Sequence, residues 1–262
     1  MPADDPTETG RVEVLAPGGM PEIRPGDDLA ATIGDVLEAD RRIAPLRDGD
    51  VLVVTQKIVS KAEGAVVDLT TVEPRPEARE FAQRWDRDPR QVEIVLREAR
   101  RVVRMERGVL ITETEHGFVC ANGGVDASNV GPAGADLVTL LPRDPDASAA
   151  GIRAVLRERF AVDVPVIVSD SFGRPWRWGI VDVAIGVAGL RPLEDLRGQP
   201  DHDGRVMRST VRAVADELAS AAELAFGKAT GRPIAVVRGA AFEPGDGSIR
   251  DLVMPETNDL FR

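Results

Sequence analysis

Short runs of aliphatic residues, broken by charged and turn-forming segments, set the pattern of the chain, and the period within each run assigns its element. "VEVL" at Val12, "VLVV" at Val51, "VLIT" at Val109, "PVIVS" at Pro165, "VDVAIGVAG" at Val181 and "PIAVVRG" at Pro233 are short and rich in Val and Ile, so each predicts a strand. Helical spacing fills stretches between them. Asp88 followed by Pro89 opens a helix that the pattern carries through "RQVEIVLREARR", and Asp144 with Pro145 opens another that reaches Phe160. An aspartate N-cap before a first-turn proline is a start signal. A third helix, predicted over Thr210 to Phe226, gathers Val211, Val214, Ala215, Leu218, Ala222 and Ala225 on one face. It leaves Asp216, Glu217 and Glu223 on the other, and Gly227 ends it.

Strands do not alternate strictly with helices, and "ITETEHGFVCAN" reads as a hairpin turning at His116 and Gly117. The fold class that follows is α+β, with mixed or antiparallel sheets and packed helices, unlike a Rossmann or P-loop architecture. "VEPRPEAR" at Val72 is a short loop before a helix, and Asp27 or Asp28 in "PGGMPEIRPGDDL" caps the next one. No repeat or low-complexity linker divides the chain. Residues 1–11 are expected to be a disordered tail, and residues 12–262 a single catalytic domain, at most split into two intimately packed subdomains.

Composition narrows the function. A chain of 262 residues can bury a large core without metals or disulfides, and a formal charge of -11, from 44 acids against 33 bases, argues against a nucleic-acid binder. Cys120 is the only cysteine and there are two histidines, His116 and His202, so a zinc cluster cannot be assembled. Any metal would have to be held mainly by oxygen. No run approaches the ~18 apolar residues of a membrane helix, and the acidic N-terminus lacks the apolar core of a signal peptide. A cytoplasmic protein with no membrane partner is expected.

Signatures of common nucleotide and hydrolase sites are missing: neither G-x-x-x-x-G-K-[ST], G-x-G-x-x-G nor G-x-S-x-G occurs in a fitting context, and "FGKATG" at Phe226 lacks the upstream glycine. Three polar clusters at the ends of apolar runs remain. "NGGVDASNV" from Asn122 offers Asp126, Ser128 and Asn129 after two glycines; "SDSFGRPWRWG" from Ser169 offers Asp170 and Ser171, then Arg174 and Arg177; "EPGDGSIRD" from Glu243 offers the acid Asp246. Each alone could be a turn or a surface ion pair. Together, three acids on separate strand ends could share Mg²⁺ or Mn²⁺ with phosphate oxygens and water. Lys57 and Lys61 in "TQKIVSKAEG" follow a strand; Lys61 could meet a phosphate as a point charge.

In order along the chain, "GMPEIRPGDDL", "DGDVLVVTQKIVSKAEG", "HGFVCANGGVDASNV", "LLPRDPDASA", "SDSFGRPWRWG", "VAIGVAGL" and "AVADELASAAEL" resemble the coenzyme F420-0:L-glutamate ligase family, also called F420:gamma-glutamyl ligase. The likeness spans Val12 to about Ser248. It implies an enzyme that uses GTP and Mg²⁺ or Mn²⁺, with K⁺ as a further candidate cation, to attach L-glutamate to coenzyme F420-0 through γ-linked amides. It also implies a family-specific α+β fold, an intertwined homodimer, and the single-domain form rather than the one fused to a flavin-binding domain. Carried over by residue, metal ligands fall on Asp126, Asp170, Ser171 and Asp246. GTP contacts fall on Met20, Pro21, Glu22, Ile23, Gln56, Lys61, Asn129, Pro244, Gly245, Gly247 and Ser248. Ser171 replaces the usual Thr, "NGG" at Asn122 replaces Asn-Ala-Gly, and Asp246 is shorter than the Glu of some relatives.

From residue chemistry rather than the family pattern, Lys61 is assigned to charge neutralisation and Arg174 and Arg177 to holding anionic substrates. Two other readings stay open: a metal-dependent phosphohydrolase or phosphotransferase, and a non-catalytic protein that binds an anionic coenzyme.

Overall fold

In a computed structural model that describes residues 10–131 and 134–260, the Val- and Ile-rich runs assemble into a five-stranded sheet. Its order is β1 (Glu13–Leu15), β12 (Ile234–Arg238), β2 (Val51–Thr55), β8 (Val166–Arg174) and β9 (Arg177–Ala188). Only β2 and β8 run parallel; the other neighbours are antiparallel. Val51 to Val54 are all buried, the signature of a strand covered on both faces. The covering helices are α1 (Leu29–Ala39), α5 (Pro145–Phe160) and α6 (Val214–Phe226), whose apolar residues share one core with the sheet. The expected tail lies mostly outside the described residues; Gly10 and Arg11, its described part, are exposed.

Capping follows the sequence rules. Asp28 accepts from the Ala31 amide at 3.0 Å and Asp144 from the Ala147 amide at 3.0 Å, each satisfying an orphan donor of the first turn. Asp88 caps α4 (Pro89–Glu98) in the same way, at 2.8 Å from the Arg90 amide. With α3 (Pro76–Trp85), α4 packs Phe81, Val92 and Val95 around Leu110. Buried Glu93 ties the two helices together by accepting from Arg75 Nε at 2.9 Å and Arg97 Nε at 2.7 Å. Burial alone would raise its pKa, yet the two guanidinium groups hold it down at about 2.

This helix pair covers a second, antiparallel sheet of β4 (Ala99–Glu106), β5 (Val109–Thr114) and β6 (Val119–Ala121). The hairpin between β5 and β6 turns where expected, with the Gly117 amide donating to Thr114 O at 2.9 Å. One expectation needs correction here: the helical pattern carried through Arg101 stops at Glu98. Ala99 already pairs with Thr114 in the sheet, and a two-residue turn at Arg107 (φ 52) and Gly108 (φ 76) closes the hairpin, the positive angles that a type I′ connection requires. Local helical spacing lost to cross-strand pairing.

The other correction concerns α6, which starts at Val214 rather than Thr210. Val211 and Arg212 instead form β11 (Val211–Arg212), paired with β10 (Glu194–Asp195). Of the three acids expected on its solvent side Glu217 is exposed, but Asp216 accepts from the Ala184 amide at 2.9 Å and Glu223 from the Asp182 amide at 3.1 Å. Seven residues apart, the two lie on one stripe of the helix and face β9. Among the described residues no helix is long and apolar enough to cross a membrane.

Gly186 shows how tightly α5 sits on the sheet. A Cβ added there would lie 2.4 Å from Pro145 O, a backbone atom that cannot swing aside. Gly186→Ala is therefore expected to cost about 1–3 kcal/mol by forcing the helix off the strand. Urea unfolding would measure it, and a loss within ±0.5 kcal/mol would mean that the contact gives way freely.

Candidate active site

The parallel pair β2–β8 creates the site by ending unevenly. Ser169 is the last residue of β8 paired to β2, opposite Thr55; there β2 passes without a loop into α2 (Gln56–Ala62). Asp170 and Ser171 continue along β9 alone, paired with Val183 and Asp182. Adjacent residues of a strand project to opposite faces, so the two open onto different surroundings.

On the Asp170 side, β6 packs against β8 and brings buried Cys120 close to the carboxylate. Burial first, and then the Asp170 charge, push the Cys120 thiol up to about 12, which leaves it inert. Asp170 is itself pushed up to about 7, mainly by burial, then by the charges of Asp126 and Asp182, against the opposing effects of the Ser171 amide and Lys57. Asp126 is fixed by a bridge to Thr139 at the end of β7 (Leu137–Thr139), which pairs with β3 (Val66–Asp68). Its carboxylate accepts from the Ser128 amide at 2.7 Å and from Lys57 Nζ at 2.8 Å. Burial would raise the Asp126 pKa, but these partners carry it below the ordinary carboxylate range. The two glycines before it serve close approach: at Gly124 (φ 73) a Cβ would lie 2.5 Å from Leu141.

On the Ser171 side, the hydroxyl donates to Asp182 Oδ1 at 2.7 Å and Ser169 Oγ donates to Oδ2 at 3.1 Å. Asp182 is 3 % exposed. Lys228, just past the end of α6, donates to Ser171 Oγ at 2.6 Å and Asp182 Oδ1 at 3.0 Å and also pairs with Glu223. Asp182, Glu223 and Lys228 were not foreseen from the sequence. The available signal was that Asp182 is the one acid inside "VDVAIGVAG", a position with every reason to be apolar unless partnered.

Other expected residues group differently. Lys61, one helical turn after Lys57 on α2, is 8 % exposed and donates to Glu22 Oε1 at 2.6 Å. The Met20–Ile23 segment thus lies against α2, and the Gly26 amide secures it by donating to Ala62 O at 2.8 Å. Gln56 is buried, with Nε2 donating to Ser60 Oγ at 2.6 Å and Leu140 O at 2.8 Å; its amide holds α2 to the chain after β7. Asn129 is exposed in a left-handed conformation, φ 54.

Arg174 and Arg177 face each other at the tip of the β8–β9 hairpin, about 13 Å along the strand from Asp170. Beside them Trp176 and Trp178 are exposed, and Arg174 Nε is buried without a hydrogen-bond partner.

The Pro244–Ser248 loop lies at the opposite end of the sheet. Pro244 bridges Leu190, the Gly245 amide donates to Gly189 O at 3.3 Å, and Ser248 Oγ donates to Asp146 Oδ2 at 2.7 Å. Asp246 lines a cleft there with Arg153, Gly189, Gly247 and Arg250. From Val183, opposite Asp170, to Gly189 is six residues, about 20 Å of strand. Within one chain the structure brings Asp126 and Asp170 together and does not bring Asp246 to them.

Among the described residues no group of three or more Asp, Glu, His or Cys side chains converges to hold a metal by itself. The donor set instead fits a hard ion that needs one or two carboxylates and takes its remaining oxygens from substrate phosphate and water. Asp170 is the specific indication: a half-buried carboxyl with its acidity suppressed, next to a second carboxylate, is relieved by a cation. Asp126 and Asp170 would be its protein ligands, with Ser171 Oγ on the far side of the strand.

Residues 19–239 match the family model described as F420-0:Gamma-glutamyl ligase. The chain is similar to a coenzyme F420:L-glutamate ligase of Methanothermobacter thermautotrophicus, 43 % identical across 96 % of this chain and 99 % of that protein. It is likewise similar to proteins of the same name from Methanopyrus kandleri, 45 % identical across 92 % and 94 %, and Methanocaldococcus jannaschii, 43 % identical across 83 % and 86 %. Identity at this level over nearly the whole length, together with the family-model match, places the chain in the F420-0:gamma-glutamyl ligase family.

Proposed function

We propose that this protein ligates L-glutamate to coenzyme F420-0 through a γ-linked amide, with GTP as the energy source and a divalent cation, Mg²⁺ or Mn²⁺, at Asp126 and Asp170. The observation that carries the reading is the near full-length similarity to proteins named coenzyme F420:L-glutamate ligase. Its chemistry requires activation, because a carboxylate and an ammonium do not condense in water. The terminal carboxylate of the coenzyme attacks the γ-phosphate of GTP in line and forms an acyl phosphate with loss of GDP. The amine of glutamate, once deprotonated, then attacks the acyl carbon and releases phosphate.

The divalent cation supplies neutralisation of charge on the phosphoryl oxygens. This chain's residues do the rest. Lys57 holds Asp126 in place, and Lys61 offers a positive charge on the α2 face, where an entering phosphate replaces Glu22 as its partner. Arg174 and Arg177 at the hairpin tip hold the far, anionic part of an extended coenzyme rather than the reacting carboxylate. A homodimer and a cytoplasmic location belong to the same proposal.

The test is mass spectrometry of the deazaflavin after incubation with GTP, Mn²⁺ and L-glutamate. Mass increments of one glutamyl unit, dependent on all three, are the expected result. GTP hydrolysis that runs equally fast without coenzyme and glutamate, with no mass change, would instead favour a phosphohydrolase.

A further inference from the structure

β9 closes the order of the main sheet, so one of its edges has no neighbouring strand, and amides on such an edge need partners from elsewhere. Carboxylates on two helices supply them. The Asp182 amide donates to Glu223 at 3.1 Å, the Ala184 amide to Asp216 at 2.9 Å and the Val187 amide to Asp146 at 2.8 Å. Outward amides recur at every second residue of a strand, so the step from Ala184 to Val187 marks one residue too many. The register agrees: Val168 pairs with Gly186 but Ser169 with Ala184, which leaves Ile185 as the extra residue of a β-bulge.

That bulge decides what Asp182 faces. Had the register that sets Val166 opposite Ala188 continued, Asp182 would stand opposite Phe172, on the face of Asp170, because a slip of one residue exchanges the two faces. With the bulge it stands opposite Ser171 and accepts from Ser171 Oγ at 2.7 Å and Ser169 Oγ at 3.1 Å. Asp216 accepts its hydrogen bond beside the extra residue, and among the described residues its carboxylate has no other hydrogen-bond donor. Glu223 and Asp146 secure the edge on either side, but both also serve other groups. In the shifted register the Ala184 amide would turn toward β8 and away from Asp216, so this carboxylate favours one register over the other.

From this geometry we propose that Asp216 is a positioning residue for the reaction: by holding the Ala184 amide it keeps the bulge at Ile185, and through the bulge it fixes Ser171 and Asp182 against each other beside Asp170. The proposal rests on the site reading given under Proposed function.

The experiment reads the register by disulfide trapping, in which buried Cys120 does not compete. Gly173 pairs with Ile180. The even-numbered amides of β9 face outward here, so this pair is of the non-hydrogen-bonded kind, whose side chains approach most closely, and a Cβ at Gly173 would meet nothing within 4 Å. Gly173→Cys with Ile180→Cys therefore traps the native register, and Gly173→Cys with Val181→Cys the shifted one. With Asp216 in place the first pair is expected to close and the second to stay reduced. Asp216→Ala, or Asp216→Ser should alanine fail to fold, is expected to raise the yield of the second pair relative to the first about 10-fold, the size of a lost charged hydrogen bond. Asp216→Asn keeps an acceptor and is expected to restore the native ratio. In the chain without added cysteines, Asp216→Ala is expected to lower kcat for glutamyl addition about 10-fold, and Asp216→Asn by less than about 3-fold. A carboxylate that merely packs α6 would change the melting temperature but not the ratio; an unchanged ratio in Asp216→Ala, or full turnover in that variant, overturns the proposal. If wild type adds no glutamate, the ligase reading fails, whereas the crosslink ratio still decides whether Asp216 sets the register.

Discussion

Asp170→Asn is expected to lower glutamate-dependent turnover by about 10³-fold and, in the metal-free protein, to raise the melting temperature. Both effects have one cause. In the fold the Asp170 carboxyl is pushed from 3.8 to about 7, chiefly by burial and further by Asp126 and Asp182, so the folded chain holds this proton more tightly than the unfolded chain does. The sign follows: the contribution to stability is fully present below the unfolded value and is lost progressively as pH rises to the folded one. At most about 4 kcal/mol is at stake for a shift of this size. Asparagine carries no charge at any of these pH values. The melting-temperature difference between variant and wild type should therefore be larger at pH 8 than at pH 5, by several degrees for a chain of this length. Added Mn²⁺ should stabilise wild type and leave the variant unchanged. Equal differences at both pH values would show that Asp170 is not buried in its acidic form, and wild-type turnover in the variant would take the residue out of the mechanism.

The sequence exposes this site unevenly, and the reasons are physical. Asp126 and Asp170 stand at the ends of apolar runs, where a rigid strand delivers a side chain into a cleft, and their positions could be read directly. Asp182 could not be found in that way because it lies within a strand: its partners, Ser169, Ser171 and Lys228, are adjacent only after β8 and β9 pair. Glu223 belongs to the polar stripe of an amphipathic helix, and the pattern alone cannot distinguish a stripe facing water from one facing the backbone of β9. Lys228 sits in "FGKATG", where the search for a phosphate loop draws attention to the glycines rather than to the ammonium. Lys57 looks like a solvated lysine until β7 places Asp126 beside it.

The larger architecture was easier to read, since five of the six predicted strand runs form the main sheet and the sixth forms β5. α2 was missed because it follows β2 without a turn signal and because five of its seven residues are buried, which hides the amphipathic alternation on which helix recognition depends. The first three residues of β4, Ala99 to Arg101, read as a continuation of α4 because no breaker separates them from it. The exposure of β4 along nearly the whole length shows that edge pairing with β5, rather than burial of a face, makes it a strand.

Removing the Asp50 carboxylate is the substitution expected to cost most in stability, about 3–5 kcal/mol for Asp50→Ala. Asp50 is 1 % exposed and precedes β2, where its oxygens accept from Arg238 Nε at 2.7 Å and Nη2 at 2.8 Å and from the Arg47 amide at 2.9 Å. The same guanidinium donates to Ile43 O at 3.0 Å, so one planar group joins β12, the start of β2 and the loop between α1 and β2. Alanine would leave that guanidinium inside the fold without its counter-charge, and desolvation rather than the lost attraction sets the size of the effect. A pair of apolar replacements separates these contributions: Asp50→Leu with Arg238→Met should recover more than half of the loss, because no unpaired charge remains. Denaturant unfolding of the single and double variants measures both numbers as a cycle. The strand that Asp50 anchors is only five residues long and carries α2, with Lys57 and Lys61, at its far end. A loss below about 1 kcal/mol in the single variant, the range of exposed ion pairs, would mean that β2 is positioned by its apolar neighbours alone.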